Sequence, residues 1–158
     1  MKSVFQLIAS IACAVVLTAC GAAASDTKPV VIDPATQVAT LTVTDLTVGT
    51  GATATVGKTL TMTYTGWLYN SGQPDGKGKQ FDASKPGASF GPIVLGSGNV
   101  IPGWDQGLVG MKVGGTRRLL IPSSLAYGPS GSQKDSNGNQ AVPPYAGLVF
   151  EVTLISAN

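Results

Sequence analysis

VIPGWDQGLVGMKVGGTRRLLIP, residues 100–122, carries the signals of a short helix that turns at once into a strand. Pro102 suits the first turn of a helix, because its ring presets φ and the N–H it lacks would have no partner there anyway. Trp104, Leu108 and Met111 follow at helical spacing and mark one apolar face. Gly110 and Gly114-Gly115 stop the helix, since glycine takes the left-handed conformation that helix ends need. The next residues, 116–121, read as a strand. A helix of one to two turns is not stable alone, so the rest of the chain must wrap it.

What the rest supplies is strands. Upstream, Leu60, Met62, Tyr64, Gly66 and Leu68 alternate with Thr59, Thr61, Thr63, Thr65 and Trp67, the pattern of a half-buried strand. Earlier still, Leu41 and Val43 alternate with threonines, and then Leu46 and Val48 take the apolar positions. That slip of phase near Thr44-Asp45 fits a bulge. Residues 71–80 are polar and glycine-rich and read as a surface loop. Residues 90–95 read as a further strand, which Pro92 confines to an edge or a bulge. Downstream, the polar run PSGSQKDSNGNQ, 129–140, is a loop long enough to be functional or disordered. Pro143-Pro144 ends it, and Leu148, Phe150, Val152 and Leu154 alternate in a closing strand. The sum is an α+β domain dominated by strands.

The composition excludes much chemistry. The 158-residue chain has no histidine, so neither a Ser-His-Asp nor a Cys-His arrangement exists, and the commonest metal ligand is missing. No metal and no cofactor are expected. The net charge is only +2 and the basic residues are scattered apart from Arg117-Arg118, which leaves no stripe for nucleic acid. A phosphate-binding loop at 51–59 is also rejected. Five residues separate Gly51 from Gly57-Lys58-Thr59, one more than that motif has, and a strand follows where a helix is required.

The first residues read as an address. Met1-Lys2 precedes an apolar run at 4–17 broken only by Gln6 and Ser10, shorter than the roughly 20 residues of a membrane span. Leu17-Thr18-Ala19-Cys20 resembles the lipobox of bacterial lipoproteins, which implies cleavage before Cys20 and acylation of that cysteine. The alternative is an ordinary secretory signal with incidental cysteines. Cys13 falls in the discarded segment, so no disulfide is expected. Residues 21–40 are rich in Ala, Ser, Thr and Pro and read as a tether. The division is therefore 1–19 signal peptide, 20–40 lipidated cysteine and tether, and 41–158 folded domain. Gly21, rather than aspartate, follows the cysteine, which by resemblance to Gram-negative sorting favours the outer membrane, facing the periplasm.

Six motifs in order, TYTGWL at 63–68, FDAS at 81–84, VIPGW at 100–104, GLVGMKVG at 107–114, LAYG at 125–128 and VPPYAGLVFEVTLI at 142–155, resemble the FKBP-type peptidyl-prolyl isomerases. The resemblance implies a twisted antiparallel sheet of about five strands wrapped around one short helix, with a proline-binding aromatic cup between them. By matched position, Trp104 is the floor, and Tyr64, Phe81, Val100, Ile101, Tyr127, Val142 and Phe150 are the walls. The Ile101 N–H and the Tyr127 hydroxyl would bond peptide carbonyls, with Asp82 beside Tyr64. Taken singly, Trp104 and Phe150 read as plain core, whereas Tyr64 and Tyr127 would need polar partners if buried. Asp82 alone reads equally as a solvated turn residue or a placed acceptor.

Several departures from the family pattern stand out. Loops 71–80 and 129–140 are expanded, and 83–90 is shorter and lacks an arginine often found facing the aspartate, Lys85 being its only cation. Phe90 is displaced by about one residue from the usual pocket phenylalanine, and Asn99 stands where an acidic residue is common. The implied function is prolyl isomerisation, in the cell envelope, on proline-containing polypeptides, by a lipid-anchored monomer open to the macrolide inhibitors of the family. The alternative is a polypeptide-binding chaperone module with little turnover.

Overall fold

The structure, a computed structural model, describes residues 32–158. Six strands form one antiparallel sheet: β1 (Thr42–Thr47), β2 (Thr59–Tyr69), β3 (Lys77–Ala83), β4 (Phe90–Val94), β5 (Thr116–Ile121) and β6 (Leu148–Ala157). The order is β1-β5-β6-β2-β3, with β4 also paired to β2. The sequence expectation of about five strands around one short helix holds, with six strands present.

Burial follows the pairing. β6 lies between β5 and β2, and its Leu148, Val149, Phe150, Val152 and Leu154 are all buried, as a central strand requires. β5 buries alternate residues, Arg117, Leu119 and Ile121. β1 is an edge strand whose residues all remain exposed, and its register slips between Asp45 and Thr47, close to the expected bulge.

The helix α1 (Pro102–Gly107) packs on β5. It ends earlier than the spacing of apolar residues suggests: Leu108 is its C-cap and Met111 lies beyond it, yet Trp104, Leu108 and Met111 are all core. Two glycines set the close approach. A Cβ at Gly107 would sit 2.7 Å from Leu119 Cδ2, and one at Gly103 would collide with Ile121. Helix and sheet therefore meet backbone to side chain, which a pair of larger residues would prevent.

Two expectations are corrected. Residues 71–80 are not loop throughout, because β3 begins at Lys77. Its polar residues fit an edge, where lysines also discourage pairing with other chains. Nor does the whole of 20–40 behave as a tether. The single turn Pro34–Thr36, capped by Asp33, is docked on the domain: Ser71 N donates to Ala35 O, Gly147 N to Thr36 O, and Gln37 Nε2 to Tyr145 O. The rest of the expected signal peptide and tether, Cys20 included, lies outside the described residues.

Candidate active site

The site opens where the sheet is interrupted. β2 is eleven residues long, and no one strand covers its outer edge. β4 pairs with Thr59–Met62 and β3 with Thr65–Tyr69, so Tyr64 stands at the gap. Ser84 splices it: Tyr64 N donates to Ser84 Oγ (3.0 Å), while Ser84 N and Oγ donate to Tyr64 O (2.9 and 3.2 Å). The side chain of Tyr64 is thereby flanked by Asp82 at the end of β3 and Phe90 at the start of β4.

Across the gap lies α1 with Trp104. Its indole meets Tyr64 at 5.1 Å, Phe150 at 5.2 Å and Phe90 at 5.8 Å between centroids, all edge to face. Such contacts contribute about 0.5–1.5 kcal/mol each beyond burial. Room for Phe150 comes from Gly66 on the neighbouring strand, where a Cβ would lie 2.6 Å from Phe150 Cε1 and 3.1 Å from Phe81 Cζ. The result is an aromatic cup of about 480 Å³, within the size range of small-ligand sites.

Few polar groups reach it, and most are held. The Tyr64 hydroxyl donates to Asp82 Oδ2 at 2.8 Å, and Ala83 N donates to Asp82 Oδ1 at 2.9 Å, which fixes the carboxylate. Burial, and then the Asp82 hydrogen bond and charge, push the Tyr64 phenol far above its ordinary value. Burial and then the charge of Asp82 raise that of Tyr127. Both phenols thus stay protonated as donors at neutral pH. Among the described residues, the backbone N–H of Ile101 has no acceptor, although the Ile101 carbonyl accepts from Trp104 N and Asp105 N. The buried indole Nε1 of Trp104 is likewise unpartnered.

Of the residues named from the sequence, Tyr64, Asp82, Val100, Ile101, Trp104, Tyr127 and Phe150 line the cup. Phe81 and Val142 do not. Phe81 packs behind Phe150 at 5.6 Å. Val142 is core, held by Ser132 N donating to its carbonyl (2.9 Å) and by its own N–H donating to Ser132 Oγ (3.0 Å). Phe90, whose position the sequence left open, is a wall. Asp105 escaped the sequence reading. From α1 its carboxylate accepts from Gly96 N (2.8 Å) and Gly98 N (3.0 Å) and so ties down the loop that carries Gly98, Asn99 and Val100 into the cup. An acidic residue in the first turn of a helix was the available signal.

A short helix under an antiparallel sheet, with an aromatic cup and unpaired or fixed donors at its mouth, defines a domain built to take an apolar ring flanked by amides. The sequence matches the FKBP-type peptidyl-prolyl cis-trans isomerase family over residues 51–155, and the chain belongs to that family. It is 44% identical over 115 residues to an FK506-binding protein of Neisseria meningitidis, covering 73% of this chain and 94% of the relative. Among solved structures it resembles AtFKBP13 (33% identity, TM-score 0.62, 78% of this chain and 98% of that one). It also resembles a peptidyl-prolyl cis-trans isomerase of Pseudomonas syringae (34% identity, TM-score 0.58, 80% and 83%). The chain is an isomerase of this family, as its motifs imply.

Proposed function

We propose that this protein accelerates Xaa-Pro isomerisation while exported proteins fold, as a monomer held by lipid on the outer membrane and facing the periplasm. The observation that carries the catalytic part is the aromatic cup with one fixed carboxylate and an unpaired N–H at Ile101.

The chemistry follows from the amide. Rotation about the prolyl bond is opposed by resonance, with a barrier of roughly 18–20 kcal/mol. The twisted amide has lost that resonance and its charge separation, so an apolar cup favours it over either planar form, and stronger binding of the twisted state is catalysis. Trp104 supports the ring, with Phe90, Phe150 and Tyr64 around it. The Ile101 N–H and the Tyr127 hydroxyl hold carbonyls on either side, so that the bond between them turns. No bond to the protein forms, and no proton transfer is required. Macrolides of the FK506 type, taken by relatives of this chain, would compete for the same cup.

The anchor rests on the lipobox-like Leu17-Thr18-Ala19-Cys20. Two or more acyl chains hold a protein on a membrane where one does so only marginally. Replacing Cys20 with Ser should therefore move the protein from the membrane to the soluble fraction with activity intact. A Cys20→Ser protein that still pellets with membranes would disprove lipid anchoring. Turnover is tested on the domain lacking residues 1–20 with a proline peptide, beside refolding of a proline-free client. Help for the client without peptide turnover would favour the chaperone reading, to which the exposed rim residues Phe90 and Tyr127 lend some support.

A further inference from the structure

Of all the residues lining the cup, Asp82 alone is charged. Its two oxygens are occupied by neutral donors, the Tyr64 hydroxyl and the Ala83 N–H, which orient the carboxylate without cancelling its charge. The other acidic residues of the sheet are matched by cations, Asp45 by Arg117 and Glu151 by both Lys77 and Arg118, whereas Asp33, Asp105 and Asp135, bound like Asp82 to neutral donors, lie outside the cup. Asp82 has no ion pair among the described residues, and Lys85, the cation nearest to it in sequence, makes none with it and does not line the cup. The side chain is exposed, so it faces whatever enters. A carboxylate has about four acceptor positions, of which two are used here. Its charge also reaches across the mouth, since it helps to raise the phenol of Tyr127.

We propose that Asp82 makes this site selective by charge, favouring proline segments with a Lys or Arg beside the proline and disfavouring those with Asp or Glu there. The inference rests on the isomerase reading and names the substrate class of that site. The low-dielectric aromatic walls concentrate the field of a single charge at the opening. An incoming ammonium or guanidinium completes the ion pair that the protein leaves unmade, and an incoming carboxylate meets repulsion. For an exposed pair of this kind the preference is modest, at most about fivefold for Lys over Gln and a similar factor for Gln over Glu. It must shrink with salt, because the screening length falls from about 30 Å at 0.01 M to about 3 Å at 1 M.

The test is kcat/KM of the full chain in neutral detergent on peptides carrying Lys, Gln or Glu immediately before or immediately after the proline, at about 10 mM and about 1 M salt. Expected in at least one of the two placements is the order Lys, Gln, Glu, compressed by salt. In Asp82→Asn the Lys-to-Glu ratio should fall towards one whatever the overall rate. In Lys85→Gln it should persist or rise. A wild-type ratio near one in both placements, with the Gln peptide turned over, would overturn the proposal, as would a ratio that survives in Asp82→Asn. If no peptide is turned over, the isomerase reading fails, and the same ratio taken from peptide Kd values still decides the charge preference.

Discussion

Trp104 combines two roles that a single substitution must separate. Its ring is the floor of the cup and part of the core, while its Nε1 is a buried donor with no partner among the described residues. A donor left unpaired on burial is a cost of about 1–3 kcal/mol to the folded state. Trp104→Phe removes that donor and keeps an aromatic face, so the lost volume is partly offset. Its urea midpoint is expected to stay close to wild type, whereas Trp104→Ala should lose about 3–5 kcal/mol. With folding preserved, a fall in kcat/KM for Trp104→Phe reports the floor itself; a loss of stability close to that of Trp104→Ala would show that the vacated volume outweighs relief of the unpaired donor. At this scale the sequence was readable where side chains are large and locally framed. VIPGW put Trp104 and Ile101 together through one turn of helix. It was unreadable for Phe81, Phe90 and Val142, because which phenylalanine faces the cup depends on how residues 83–90 close across the gap in the sheet. Val142 depends on a loop bond to Ser132 ten residues away.

Among the elements, the connection between β4 and α1 governs how well the cup is formed. Gly96 and Gly98, both at positive φ, let the loop turn tightly, and only the Asp105 carboxylate fastens their N–H groups to the helix. Asp105 thus stands to position Val100 and the Ile101 N–H. Asp105→Ala frees both amides and should raise KM by several-fold with little change in kcat, because a looser loop is ordered at the expense of binding. Hydrogen exchange at Gly96 and Gly98 should quicken, by about tenfold for each 1.4 kcal/mol of lost protection. An unchanged exchange rate would show that the two bonds do not hold the loop. The helix and β5 were legible beforehand because their signals, proline, glycine and apolar spacing, are local. The division of the edge between β3 and β4 was not, since it arises from pairing with β2 and from the splice at Ser84. Polar β3 read as loop for the same reason: an edge strand need not carry an apolar stripe.

Across the whole molecule, an ion network ties separate parts of the sheet. Lys77 meets Glu151 at 2.6 Å, and Arg118 meets Glu151 at 2.8 Å and Asp75 at 2.7 Å, joining β3, β5, β6 and the turn before β3. Burial of Glu151 opposes its charge, but the hydrogen bonds from Lys77 and Arg118 outweigh it and hold the carboxyl below its ordinary value. A carboxyl depressed in the folded state binds fewer protons there than in the unfolded chain. Its contribution is therefore complete above the unfolded value, about 4.3, and disappears as pH falls through the folded one. The urea midpoint should decline between about pH 5 and pH 3, and Glu151→Gln should flatten part of that decline while lowering stability at neutral pH. Asp135, lowered chiefly by the Asn139 N–H, acts in the same window, so Asp135→Asn is the control that separates loop from sheet. The loop around Asp135 leads to the opposite expectation for stability. Removing residues 131–139 shortens a polar connection, and loop length changes closure entropy by well under about 1 kcal/mol. Against that small gain stands the loss of the Ser132 bonds to Val142 and of the Gln140 Nε2 bond to Ser132 O. Shortening limited to residues 134–139 spares Ser132 and should leave the urea midpoint nearly unchanged. Turnover of a minimal proline peptide should then stay within a few-fold, while refolding of a protein client slows if this loop extends the rim beyond Tyr127. Equal effects on peptide and client would show that the loop acts on the cup itself.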